Sequence, residues 1–163
     1  MLQPAIKYES ELKECFRDIM FDERFMYADS ASYRDEYEAK TSTWRNHEFA
    51  IVHEDKVLGY IAYEIDRASN VCCGLQVINF TGEPDFIFAK DLKQALCDIF
   101  IKFGFSKLRF TCMVGNPILP HYDKICEKYG GRIVGVWEQE ERLIDGKTYD
   151  LKLYEILKEN FRR

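Results

Sequence analysis

The sequence predicts an α/β chain of the α+β kind, built as one mixed, mostly antiparallel sheet with helices on both faces. Three observations carry this. The hydrophobic period changes along the chain between the three-and-four spacing of a helix and the alternation of a strand. The resulting order is strand, two helices, three strands, helix, strand, helix and a long closing hairpin, which excludes a doubly wound parallel sheet because helices and strands do not alternate throughout. Finally, 163 residues at 47% hydrophobic and 15% aromatic content suffice for a real core, and we expect a single domain over residues 1–163.

Each element has its own warrant. Residues 4–8, PAIKY, are expected as a short first strand. Leu12, Cys15, Phe16, Ile19 and Met20 then recur at helical spacing, so the stretch from Ser10 to Phe21 is expected as a helix buried on one side. A second helix is expected over Ser32 to Lys40, with Ser30 or Ser32 as its cap. Its aromatic residues Tyr33 and Tyr37 are read as packing rather than as a lid.

From His47 the period becomes two. HEFAIVHE and VLGYIAYEI flank a polar turn at Glu54-Asp55-Lys56 and read as a hairpin, and VCCGLQVINF reads as a third strand run. Thr81 to Asp85, TGEPD, breaks the sheet. Leu92, Ala95, Leu96, Ile99, Phe100 and Phe103 then mark the clearest helix, with Gly104 at its end. KLRFTCMV, residues 107–114, is a strand. Asn116-Pro117 opens the next helix, along which Tyr122, Ile125, Cys126 and Tyr129 line one face, and Gly130-Gly131 close it. The tail holds two strand runs around Asp145-Gly146, a strong hairpin signal.

A net charge of -5 gives no general attraction to nucleic acid or to an acidic membrane and favours a cationic substrate. No apolar run is long enough to span a bilayer, and the start of the chain is unlike a signal peptide, so a cytoplasmic location is expected. The cysteines Cys15, Cys72, Cys73, Cys97, Cys112 and Cys126 lack metal-ligand spacing and read as reduced thiols, several of them in the core. Three histidines, His47, His53 and His121, support no metal site and no Ser/His/Asp arrangement.

The element order, together with Asn116, Tyr122, Gly130-Gly131 and the closing run DGKTYDLKLYEIL, resembles the GNAT superfamily of acyl-CoA-dependent N-acetyltransferases. The resemblance covers most of the chain and is best from Glu48 to Leu157. It implies a GNAT-like sheet with a central splay, acetyl-CoA as cosubstrate, no metal, and an amine acceptor on a small molecule or a protein. It also implies a pantetheine arm lying in the splay like an added strand, with its diphosphate on the start of the next helix. Both are sound physically, since a free strand edge pairs with amides and a helix N-terminus presents free N–H groups to phosphate.

Carried over residue by residue, the resemblance assigns Phe80, Thr81 and Gly82 to the strand end, and Phe88, Ala89, Lys90, Asp91, Leu92 and Lys93 to the phosphate loop. There this chain departs from the family: Asp91 stands where glycine is usual, and Lys93 where glycine or alanine is. Asp91 repels a diphosphate or caps the helix itself, while Lys90 and Lys93 offset the charge. Asn116 would position the cofactor and Tyr122 would protonate the departing thiolate, its phenol staying protonated at neutral pH. Tyr122 reads equally as a core aromatic. Glu64 is the candidate base, against its reading as a solvated strand residue. The implied activity is acetyl transfer to a primary amine by direct attack. The alternative is a module of the same fold that has lost catalysis and binds acyl-CoA or protein; an aromatic-lined nucleotide binder is disfavoured by the acidity. The exposed edge of the final hairpin invites a homodimer.

Overall fold

The structure, a computed structural model, describes residues 1–28, 37–143 and 145–162. Strand β1 (Leu2–Pro4) turns through Ala5–Tyr8 into helix α1 (Glu9–Ile19). Strands β2 (Asn46–His53), β3 (Lys56–Asp66) and β4 (Val71–Asn79) follow. Helix α2 (Phe86–Cys97) is continued by one π turn, Asp98–Lys102. Then come β5 (Lys107–Met113), α3 (Leu119–Lys128), β6 (Arg132–Arg142) and β7 (Thr148–Leu157). The described residues form a seven-stranded sheet in the order β1-β2-β3-β4-β5-β7-β6, antiparallel except between β4 and β5. No described helix is long and apolar enough to cross a membrane.

Helices cover both faces, as the sequence predicts. On one, Leu12, Phe16 and Ile19 of α1 meet Ala50, Tyr60, Ala62 and Ile78. On the other, Leu96 and Ile99 beyond it, with Cys126 of α3, meet Tyr63, Cys72, Leu108, Phe110, Tyr154 and Ile156. Cys72, Cys112 and Cys126 are buried thiols.

Besides α3, which opens at Leu119 with Pro120 rather than Pro117 in its first turn, three boundaries differ from expectation. The first strand ends at Pro4 rather than beginning there, because Pro4 offers no N–H to continue a ladder and AIKY coils into a 3-10 turn. The expected helix Ser32–Lys40 lies mostly outside the described residues, and 37–40 carry no helix. Tyr37 is nonetheless buried against Phe16 and Tyr60, its hydroxyl donating to Glu48 at 3.2 Å. The third difference is that α2 starts at Phe86, ahead of the run that the sequence reading placed before the helix.

One irregularity shapes the centre of the sheet. Ala62 of β3 faces Gln76, yet Glu64 faces Cys73, so Tyr63 alone spans Gly74 and Leu75 of β4. Gly74 takes a φ of +60°, a backbone that is cheap only for glycine. Such a bulge exchanges the faces of the strand beyond it. Cys72 therefore enters the core beneath α2 and α3, whereas Ile78 enters the core beneath α1.

Candidate functional site

Beside this bulge the sheet parts. Strands β4 and β5 pair only at Val71↔Lys107 and Cys72↔Leu108. From there β4 continues to Asn79 and β5 to Met113 without a ladder between them, leaving two facing backbone edges unpaired by each other. A parallel pair evenly bonded along its length would have closed this gap. Its floor is apolar: Leu75 and Val77 of β4, Leu92 and Leu96 of α2, Phe110 of β5, and Tyr122 and Ile125 of α3 surround a cavity of about 20 Å³.

Tyr122 lines that cavity with its ring, the surface facing it being apolar throughout. Its ring lies 5.9 Å from Phe110 and 6.4 Å from Tyr154, centre to centre. Its ring packs on the core, and among the described residues its hydroxyl has no hydrogen-bond partner. Burial pushes its pKa above the ordinary tyrosine value, with the Cys112 thiol adding to the rise. The phenol is thus protonated at neutral pH.

Asn116 stands in the turn between β5 and α3. Its side-chain oxygen accepts from the Ile118 N–H at 3.0 Å, and its carbonyl accepts from the Leu119 N–H at 2.9 Å. These bonds fix the entry to α3, whose first residue makes no side-chain cap. Phe80 is anchored differently: its N–H donates to Leu58 at 3.0 Å and its ring meets Phe16 edge-on. Thr81 bonds to Asn79 at 2.8 Å through its hydroxyl, and Gly82 lies against the Arg24 guanidinium, which would sit 2.9 Å from an added Cβ. The strand-end loop therefore carries a cation nearby, itself paired to Asp22 at 2.6 Å.

The run Phe88 to Lys93 does not form a loop. It occupies the body of α2, because the helix is nucleated earlier, where Asp85 follows Pro84 and its carboxylate accepts from the Phe88 N–H at 2.8 Å. Phe88 lies over Gly59, Ala89, Lys90 and Lys93 are exposed, and Leu92 lines the gap. Asp91 does not cap the helix; its carboxylate is buried and pairs with the Met1 amino group at 2.8 Å. The helix mouth instead belongs to Phe86, Ile87 and Asp85. Phe86 and Ile87, as the first two helical residues, have N–H groups with no intrahelical acceptor.

Glu64 is exposed, and its side chain lies against the bulge, 3.5 Å from where a Cβ on Gly74 would be. It stands on the face of α1, while Tyr122 approaches from the face of α3. Sequence reasoning missed three features here. Asp85 was read as a turn residue, although an acidic residue directly before an apolar run is an N-cap signal. Gly74 inside a strand pattern signals a bulge. Asp123, beside Tyr122, carried no signal at all, since its partners lie in β7.

The residues fit an acyl-CoA arm in one respect and resist it in another. The parted edges and the apolar floor suit a thioester and its amide-bearing arm. The diphosphate end would share the helix mouth with the Asp85 carboxylate.

No protein-family model and no curated protein matches the sequence. Solved structures do match in fold. A microcin self-immunity acetyltransferase, MccE, in complex with acetyl-CoA and AMP, is 18% identical at a TM-score of 0.71, covering 96% of this chain and 91% of that one. A chimera of the spermidine N-acetyltransferase SpeG from Vibrio cholerae and hSSAT is 19% identical at 0.73, over 98% and 95% of the two chains. A GCN5-related N-acetyltransferase from Brucella melitensis is 19% identical at 0.71, over 98% and 76%. With its mixed sheet parted between β4 and β5 and helices on either face, the chain has the fold of the GNAT acetyltransferases.

Proposed function

We propose that the protein is an N-acetyltransferase that moves an acetyl group from acetyl-CoA to a primary amine by direct attack. The observation that carries this reading is the gap between β4 and β5 with Tyr122 among the residues that line it. Similarity in fold to three acetyltransferases supports it. Acetyl-CoA, when bound, supplies the activated acyl group and a thiol leaving group.

This chain's own residues supply the rest. The unpaired edge of β4 holds the arm, and the backbone N–H groups re-aimed by the Gly74–Leu75 bulge stabilise negative charge on the carbonyl oxygen. Tyr122 holds a proton for the departing sulfur. Glu64, at the bulge on the opposite face, takes the proton that the attacking ammonium must lose. Asn116 orders the turn into α3, and Phe86 and Ile87 offer the diphosphate their free N–H groups.

The Asp85 carboxylate on the Phe88 N–H favours a second reading, an acyl-CoA-binding module without turnover. Titration calorimetry with acetyl-CoA, paired with thiol release over a panel of primary amines, separates the two. Binding with release supports the enzyme, binding without release the module, and no affinity at millimolar ligand removes both.

A further inference from the structure

Helix α3 carries Tyr122, and its N-terminal end has little local support of its own. It is ten residues long, it has no side-chain N-cap, and Pro120 sits in its first turn. A helix this short is marginal alone and takes its pose from tertiary contacts. The buried contacts of its second half, Cys126 and the following Tyr129, hold the far end. The turn bearing Tyr122 packs Leu119, Tyr122 and Ile125 on the same core and has, in addition, a polar tie to the sheet.

Asp123, the next residue, reaches across to β7. One carboxylate oxygen accepts from the Lys152 ammonium and from the Tyr154 hydroxyl, each at 2.7 Å. These hydrogen bonds hold the Asp123 carboxyl below its ordinary range, so it is ionised at neutral pH. The Tyr154 ring, in turn, stacks on Phe110 at 4.9 Å and 8° and stands 6.4 Å from the Tyr122 ring. Tyr154 thus bonds to one residue of the turn and walls the seat of its neighbour. Successive helical side chains diverge by roughly 100°, so tying Asp123 to β7 turns Tyr122 toward the β4–β5 gap.

We propose that Asp123 is a positioning residue, which through Lys152 and Tyr154 sets the rotation of α3 that seats the Tyr122 side chain beside the gap between β4 and β5. This rests on the acetyl-transfer reading only for its effect on rate; the effect on the ring itself does not. Removing the acceptor frees the turn and displaces the donor from the reacting sulfur, a misplacement of the size that costs about ten- to a hundredfold in turnover.

The test uses the whole chain with 3-fluorotyrosine, the Tyr122 resonance being the one lost in Tyr122→Phe. Asp123→Ala is expected to shift and broaden that resonance and leave Tyr8, remote in α1's entry, unmoved; Asp123→Asn, which still accepts a hydrogen bond, should restore most of the original position. In turnover, Asp123→Ala should lower kcat about tenfold or more at constant KM for acetyl-CoA, and add nothing in a Tyr122→Phe background. Should Asp123→Ala prove unstable, Lys152→Met and Tyr154→Phe each remove one bond and should each move the same resonance part of the way. An unmoved Tyr122 resonance in all of these variants overturns the proposal, as does a rate loss that persists undiminished with Tyr122→Phe. If instead the resonance moves while Tyr122→Phe retains full activity, the positioning stands and it is the acid role of Tyr122 that fails.

Discussion

Replacing Tyr122 by phenylalanine deletes one oxygen from a residue that lines the β4–β5 gap and leaves the ring contacts to Phe110 and Tyr154 in place. Because the hydroxyl has no partner among the described residues, its removal orphans nothing, and the stability change should stay within about 0.5 kcal/mol. The effect on chemistry is larger. A buried phenol with its pKa raised above about 10 is a weaker acid than a thiol near 8.5, so complete proton transfer to sulfur is uphill by at least about 2 kcal/mol. Tyr122 therefore works as a donor that shares its proton late in bond cleavage, which belongs at the low end of general-acid effects, about a hundredfold or about 2.7 kcal/mol. Thiol release under saturating amine should show that loss in kcat with KM for acetyl-CoA unchanged, and thermal melting should show no shift. The deficit should shrink for acyl donors with more acidic thiols. Since the pKa is raised, the protonated form persists beyond pH 10, and no alkaline decline below that pH should trace to Tyr122. Equal turnover in the two proteins would refute the assignment.

At the bulge, Glu64→Gln keeps shape and removes the base: turnover at pH 7 should fall about a hundredfold and recover as pH approaches the amine's own pKa, where neutral amine needs no base; a uniform deficit at every pH would argue against a base role. Asp85→Ser retains an N-cap and discards a charge at the helix mouth, so calorimetry at low salt should find acetyl-CoA bound about three- to tenfold tighter, and an unchanged or weaker affinity would mean that the diphosphate lies elsewhere. Glu155 of β7 is buried beneath Lys107 and Arg132, at 2.5 and 2.6 Å. Its carboxyl is held low, first by Lys107 and then by Arg132. That stability is therefore complete above the unfolded carboxylate value of about 4.3 and drains away as pH falls through the lower folded value. Glu155→Gln should cost about 2 kcal/mol at pH 7, less than a fully buried pair because Arg132 is largely exposed, and chemical denaturation should find the difference from the parent vanishing in acid.

Much of the architecture was legible because it rests on periodicity. Leu12, Phe16 and Ile19 announce a one-sided helix, the runs around Ala50 and Ile61 announce strands, and the structure buries these residues as their spacing requires. Asp145-Gly146 forms the expected turn, with Gly146 at a φ of +78°. Helix starts were read less well. The apolar spacing from Leu92 marks only the part of α2 that faces the core, while the segment Phe86 to Asp91 is helical through the Asp85 cap, a single local bond that carries no period.

The sequence by itself determined most of the segments that are helix or strand, that the sheet is mixed, and that a tyrosine stands on the helix after β5, because each depends on residues near one another in the chain. Tertiary structure alone decided that β4 and β5 part after two paired residues, that Gly74 adds a bulge at that point, and that Asp123 ties the Tyr122 turn to β7. Those features depend on pairing and contact between segments far apart in sequence, where a one-residue slip moves every side chain to the other face and leaves the local pattern unaltered.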